Sequence, residues 1–361
     1  MYSLVASQYR SRPQSLSQAL GDPLPAKSGK GGVKMAAPLR IQSDWAQALR
    51  KDEGEAWLSC HPPGKPTLYG SLTCQGIGQD GIPEVTASEG FIVNEINKKS
   101  IHISCPKENA SSKFLAPYTT FSRIHSKSIT CLDISSGGGL GVSSSTDGSM
   151  KIWQASNGEL RRVLEGHVFD VNCCRFFPSG LVVLSGGMDA QLKIWSAEDA
   201  SCVVTFKGHK GGEREVGTES KMLLLAREDK KLQCLGLQSR QPVFLFVGSD
   251  AFNCCTFLSG FLLLAGTQDG NIYQLDVRSP RAPVQVIHRS GAPVLSLLSF
   301  RDGFIASQGD GSCFIVQQDL DYLIELTGAD CDPVFKVATW EKQIYTCCRD
   351  GLVRRYQLSD L

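Results

Sequence analysis

The chain has 361 residues, 42% hydrophobic and 20% charged, enough for one large domain or two to three ordinary ones with an ample core. Its 37 basic and 36 acidic residues leave a net charge of +1, so no global field draws it onto nucleic acid or an anionic membrane. The apolar runs are short pieces such as Phe261 to Ala265, far below the roughly 18 residues of a spanning helix, and a soluble chain is expected.

Residues 1–34 carry five basic residues, one acid and many Ser, Pro and Gly, a composition that predicts disorder. They lack the sustained amphipathic Arg-bearing helix of a mitochondrial transit peptide. They read as an extension upstream of Met35-Ala-Ala-Pro, which has the form of an ordinary initiator. Gly21 to Ser28, GDPLPAKS, comes near the phosphate loop, but Ala26 occupies the second glycine position, two prolines stiffen it, and no strand or helix flanks it. No nucleotide site is expected there.

Residues 35–112 are expected to form a small β-rich N-terminal domain. Ser43 to Lys51 predicts a short amphipathic helix capped by Ser43, and EAWLSC, GSLTC, FIVNEI and KKSIHISC read as strands.

From about residue 113 to 361 the chain repeats. STDGSMKIW, GMDAQLKIW, REDKKLQCL, TQDGNIYQL, QGDGSCFIV and CRDGLVRRY place Asp147, Asp189, Asp229, Asp269, Asp310 and Asp350 at spacings of 42, 40, 40, 41 and 40. His125, His167 and His209 are 42 apart, as are Trp153 and Trp195. Each unit reads as four strands, for example VNCCRF, LVVLSG, LKIW and CVVTFKGH, with a turn at the aspartate. The third unit is irregular: KGGEREVGTES has almost no apolar content, and a missing or degraded inner strand over residues 210–220 is expected. The chain ends on LVRRYQL, a third strand without an outer partner, and Leu115 to Lys127 has the pattern of the missing one. Closure of a ring by that N-terminal strand is therefore expected.

A period of about 40 to 45 with Gly-His near the start of a unit and Ile-Trp near its end resembles the WD-repeat family. The resemblance implies an all-β fold, a WD-repeat β-propeller of six recognisable repeats following the N-terminal domain. It also implies that His125, Ser143, Asp147 and Trp153, and likewise His167, Ser185, Asp189 and Trp195, form buried hydrogen-bonded chains that fix the blades. Ser, His and Asp would equally spell a hydrolase triad, but a nucleophile needs an exposed oxygen and an oxyanion hole, and repetition at equivalent blade positions argues for architecture.

Fourteen cysteines amount to about 4% of the chain, below the density of a disulfide scaffold. Cys173-Cys174 and Cys254-Cys255 sit inside apolar strands, and no Cys-x-x-Cys or zinc spacing occurs. Reduced thiols of a cytosolic or nuclear protein are expected, with no metal and no cofactor. The sequon at Asn109 to Ser111 is then idle.

Phrases such as KIWQASNGELRRVLEGHVFDVNCCRF and QDGNIYQLDVRSP are similar, more narrowly, to a WD-repeat family of chaperones for proteasome regulatory-particle assembly. That resemblance implies a non-enzymatic scaffold, a monomer, whose partner is the C-terminal domain of a proteasomal AAA ATPase subunit. It implies seven blades in relatives, so a splice-like join at Gly212 to Glu213 would account for a missing blade and a hybrid third one. A generic adaptor, for instance in a ubiquitin ligase complex, is the alternative. Asp170, Asp250, Asp330 and Asp332 lie in loops expected to converge on one face, where they could steer a basic partner segment.

Overall fold

The structure is a computed structural model describing residues 37–361, except 52, 208–212, 220–221, 237, 240, 280, 318–319 and 361; of 207, 213–219 and 360 it describes only the backbone. The chain divides into units Met1–Lys34 and Met35–Leu361. The expectations for the tail and for Gly21 to Ser28 lie outside the described residues.

Strands β1 (Leu39–Ile41), β2 (Glu55–Cys60), β3 (Leu68–Ile77) and β4 (Pro83–Ala87) form an antiparallel sheet in that order. The helix expected over Ser43 to Lys51 shrinks to α1 (Trp45–Ala48), and Asp44 rather than Ser43 holds the N-cap position, with no side-chain cap bond. Tertiary anchoring outweighs capping here. Trp45 is buried, and its indole N–H donates to Thr327 Oγ1 at 3.1 Å.

Strands β5 (Ile92–Ile96), β6 (Ser100–Cys105) and β7 (Ala110–Leu115) belong to a different sheet. β7 runs parallel to β28 (Leu323–Leu326), with Ser112 opposite Leu323 and Leu115 opposite Leu326. The end of the N-terminal region thus extends a sheet of the repeat region to seven strands and covers its edge.

The repeats form six sheets. The first unit is β9 (Ile129–Ile134), β10 (Leu140–Ser145), β11 (Met150–Gln154) and β12 (Leu160–Leu164); the second is β13 (Val171–Phe176), β14 (Val182–Gly187), β15 (Gln191–Ser196) and β16 (Cys202–Lys207). The third is β17 (Glu213–Glu219), β18 (Met222–Arg227), β19 (Lys231–Gly236) and β20 (Pro242–Val247); the fourth is β21 (Phe252–Ser259), β22 (Leu262–Thr267), β23 (Asn271–Asp276) and β24 (Gln285–His288). The fifth is β25 (Val294–Phe300), β26 (Gly303–Gln308), β27 (Cys313–Val316) and β28. The sixth is β29 (Val334–Trp340), β30 (Gln343–Cys348) and β31 (Val353–Gln357), completed by β8 (Thr119–Phe121) from the N-terminal side. Phe121 lies opposite Val353 and Thr119 opposite Arg355, so the strand expected to partner the chain's last strand does pair with it.

In the third unit, where a missing or degraded inner strand is expected, a strand is present. β17 pairs antiparallel with β18, Val216 opposite Leu225 and Gly217 opposite Leu224. The ladder is made by backbone groups, so a polar sequence can fill it wherever a neighbouring strand offers its edge.

At the junctions of the first with the second unit and of the third with the fourth, neighbouring sheets pack through alternate residues of each strand. Cys131, Val142, Met150, Ile152 and Leu164 of the first unit form one buried cluster with Val171, Cys174, Val183 and Trp195 of the second. Leu224, Leu232, Cys234 and Phe244 of the third meet Phe252, Cys255, Leu263, Tyr273 and Leu275 of the fourth in the same way.

The repeated aspartates share one local role. The carboxylates of Asp147, Asp189, Asp229, Asp310 and Asp350 each accept the backbone N–H two residues on, at 2.9, 3.2, 3.3, 3.2 and 2.9 Å. The residue after each of the six aspartates is left-handed: Gly148 (φ 79), Ala190 (56), Lys230 (64), Gly270 (85), Gly311 (85) and Gly351 (78). The Asp-Gly pairs spell this turn out, because aspartate caps it and glycine reaches positive φ without a Cβ clash. At Gly270 a Cβ would also lie 2.2 Å from the Ser290 carbonyl oxygen. Gly270→Ala is therefore expected to lower stability by about 1–3 kcal/mol, whereas Gly76→Ala, with nothing within 4 Å of its Cβ, should cost little. Thermal denaturation of the two variants checks this.

Candidate functional site

In the second unit the signature side chains are in contact. Trp195 Nε1–H donates to Ser185 Oγ at 2.8 Å, and Ser185 Oγ lies 2.7 Å from His167 Nε2. His167 Nδ1 lies 3.0 and 2.9 Å from the two carboxylate oxygens of Asp189. One consistent set of donors runs from indole to hydroxyl, hydroxyl to Nε2, and Nδ1–H to carboxylate. Burial alone would raise the Asp189 pKa, but hydrogen bonds from His167 and the Val168 amide hold it below the ordinary carboxylate value.

The first unit has a longer route. Trp153 Nε1–H donates to Ser143 Oγ at 3.1 Å, and Ser143 Oγ is 2.8 Å from His125 Nε2. Here Asp147 is reached through a hydroxyl: His125 Nδ1 lies 3.4 Å from Ser149 Oγ, which donates to Asp147 at 2.5 Å. Ser143 and Ser185 are fully buried, so neither oxygen can meet a substrate. Both chains tie the loop before an inner strand to the turn between the second and third strands of the same sheet.

A third polar cluster occupies the fourth unit, which lacks the signature His and Trp; His288 of β24 lies instead with Nδ1 2.9 Å from Asn271 Oδ1. Tyr273 O–H donates to Ser249 Oγ at 2.9 Å, Ser249 to Asp269 at 2.5 Å, and Thr267 to the other Asp269 oxygen at 2.5 Å. Burial would raise the Asp269 pKa, but these hydroxyl donors keep it below the usual value. Sequence reasoning missed this cluster. Leu275, opposite Leu263, holds the place that Trp195 holds opposite Val183, and Tyr273 stands two residues earlier, where the repeat gives no signal.

The four loop aspartates sit at equivalent points, in the connections β12–β13, β20–β21 and β28–β29 that run from an outer strand to the next inner strand. Because the four strands of a unit alternate in direction, these connections share a face with the aspartate turns. The loops differ in charge state. Asp250 lies 3.6 Å from Lys230 Nζ, and Asp332 accepts from Arg349 at 2.6 Å, so both acids are already balanced within the chain. Asp330 is exposed with a left-handed backbone (φ 44), and Asp170 is half-buried, its carbonyl accepting the Met188 N–H at 2.8 Å. Among the described residues no ion pair involves Asp170 or Asp330.

The WD domain, G-beta repeat family model matches residues 116–154 and 158–196, which include Trp153 and Trp195. Proteasomal ATPase-associated factor 1 of Bos taurus and that of Homo sapiens are each 80% identical to this chain over 392 residues, covering 91% of it and 100% of the relative. That coverage leaves roughly 60 residues of each relative without a counterpart here. The crystal structure of the WD40 repeats of RRP9 superposes with a TM-score of 0.51 at 14% identity, covering 65% of this chain and 96% of that one, and shows the shared fold.

Burial, with a smaller contribution from Lys151, lowers the His125 imidazole from 6.5 to about 4. An unfolded chain therefore takes up this proton more readily than the folded one. The stabilisation is complete above about pH 6.5 and is lost as pH falls toward 4, by up to about 3 kcal/mol. His125→Gln should flatten that stretch of a melting-temperature curve against pH; an unchanged slope would assign the titration to another group. Trp195→Phe, which leaves Ser185 short of a buried donor, should cost about 1–3 kcal/mol without altering partner binding at temperatures where the variant is folded.

Proposed function

The chain belongs to the proteasomal ATPase-associated factor 1 family of WD40-repeat proteins, and from that premise we propose that it is a non-enzymatic scaffold that binds proteasomal AAA ATPase subunits and regulates assembly of the proteasome regulatory particle. The observation that carries this reading is the match to the bovine and human factors from end to end apart from roughly 60 residues. The polar chemistry of the repeats supports a binding role rather than catalysis. The two serines that could serve as nucleophiles, Ser143 and Ser185, are buried and hydrogen-bonded to the neighbouring His and Trp side chains.

The chain acts as a monomer in the cytoplasm or nucleus, and the surface it offers is the face carrying the outer-to-inner loops. The partner segment is the C-terminal domain of an ATPase subunit, drawn in by Asp170 and Asp330 and to a lesser degree by the paired Asp250 and Asp332. Charges at such a rim act mainly on the association rate.

Affinity capture with the tagged chain tests the function: proteasomal ATPases should be enriched in the eluate, whereas recovery of ubiquitin-ligase subunits in their place would favour an adaptor. For the surface, Asp170→Lys with Asp330→Lys should slow association with an ATPase C-terminal domain several-fold at low salt and weaken its salt dependence, with the circular dichroism spectrum unchanged. A wild-type association rate would move the interface to another face.

A further inference from the structure

The sheets pack by a rule that five units obey and one junction breaks. In each unit one cross-strand pair of the second and third strands faces the preceding sheet. Val183 with Trp195, Leu263 with Leu275, Phe304 with Val316 and Ile344 with Tyr356 are all at most 5% exposed. In the third unit the same pair is Leu223 with Leu235, and both are only half-buried.

The opposite wall departs in the same way. The pair facing the following sheet is Val142 with Ile152 in the first unit, Leu224 with Cys234 in the third and Ile305 with Ile315 in the fifth, all at most 1% exposed. In the second unit it is Leu184 with Ile194, again only half-buried. Leu192 and Phe206, 42 residues after the buried Met150 and Leu164, are uncovered to the same degree. Both apolar walls flanking one junction, between the second and third units, are therefore only half-buried, while the counterpart pairs named above are sealed.

The repeat itself states what would seal them. One unit earlier, the same positions are covered by the face of a sheet bearing Val171, Cys174, Val183 and Trp195. The bovine and human relatives also carry roughly 60 residues without a counterpart in this chain, more than the 42 between Asp147 and Asp189 that make one unit. We infer that the junction between the second and third units is an acceptor for a β-sheet segment, apolar on both faces, supplied by another chain. One face of the segment packs on Leu184 and Ile194, and the other on Leu223 and Leu235. The surface is separate from the aspartate-bearing loops, so this inference stands or falls independently of the ATPase reading.

The test uses the full chain and, as probe, a fluorescent peptide of residues 166–207, whose Val183 and Trp195 face is the kind of surface that covers Val142 and Ile152. Saturable binding by anisotropy is expected, weakened roughly tenfold or more by Ile194→Lys and by Leu235→Lys in the chain. Absence of saturable binding, or equal binding by these variants, overturns the proposal, as does a chain that elutes as a dimer and excludes the peptide. Stability provides a second reading: Ile194→Lys should shift the melting temperature by no more than about 5 °C, whereas Ile152→Lys, the same position one unit earlier, should abolish cooperative unfolding. Equal loss in both would mean that the junction is sealed.

Discussion

Every four-stranded sheet of the repeats has two apolar faces, and no such sheet can bury both without a neighbour on each side. Val142, Met150 and Ile152 of the first unit are dry only because Val183 and Trp195 of the second stand against them. At about 1.5–3 kcal/mol for each large apolar side chain removed from water, a unit on its own would leave most of its stabilisation unrealised. The demand propagates from sheet to sheet, and it explains why β8 crosses from the N-terminal side to complete the last unit. It also explains why β7 lies against β28, giving the outer edge of the fifth sheet a partner.

Polar groups act within that frame by fixing angles. The Trp-Ser-His-Asp chain of the second unit links a strand to a loop and to a turn, and its buried members are satisfied by one another. In the first unit Ser149 relays the same connection, and in the fourth Tyr273, Ser249 and Thr267 converge on Asp269 by a different set of side chains. The common element is the turn aspartate. It is needed for the backbone whatever its side-chain partners are, and it persists in units that have lost both His and Trp.

The N-terminal region is held to the repeats by more than a shared sheet. Arg40 on β1 pairs with the turn aspartate Asp310 at 2.9 Å, and close by Arg289 and Glu325 form a buried ion pair, with the Arg289 guanidinium over the Phe314 ring. Burial raises the Glu325 pKa, and the Arg289 charge opposes that rise. A pair removed from water in this way contributes little net stability but penalises any arrangement that separates its members. It therefore holds the loop before β25 against β28, while Arg40 ties β1 to the repeats by occupying one of the six turn aspartates on the loop-bearing face.

The sequence by itself determined the repeat, its period, the all-β class and the turns. These rest on local chemistry: an aspartate that accepts a nearby amide, a glycine at positive φ, and alternation of apolar side chains along a strand. It also named Trp195, Ser185, His167 and Asp189 as a set, because spacing within one unit carries that information. Only the tertiary structure decided what depends on neighbours distant in the chain. A polar run, Glu213–Glu219, became an inner strand because β18 offered a backbone edge. The predicted helix shortened to Trp45–Ala48 because Trp45 was drawn into a core completed by Thr327, 282 residues away. Two loop aspartates found cations that no periodicity relates to them. Leu184 and Leu223 read in the sequence as ordinary core residues. Their exposure follows from which sheets stand beside them, and the pattern of a single strand does not contain that.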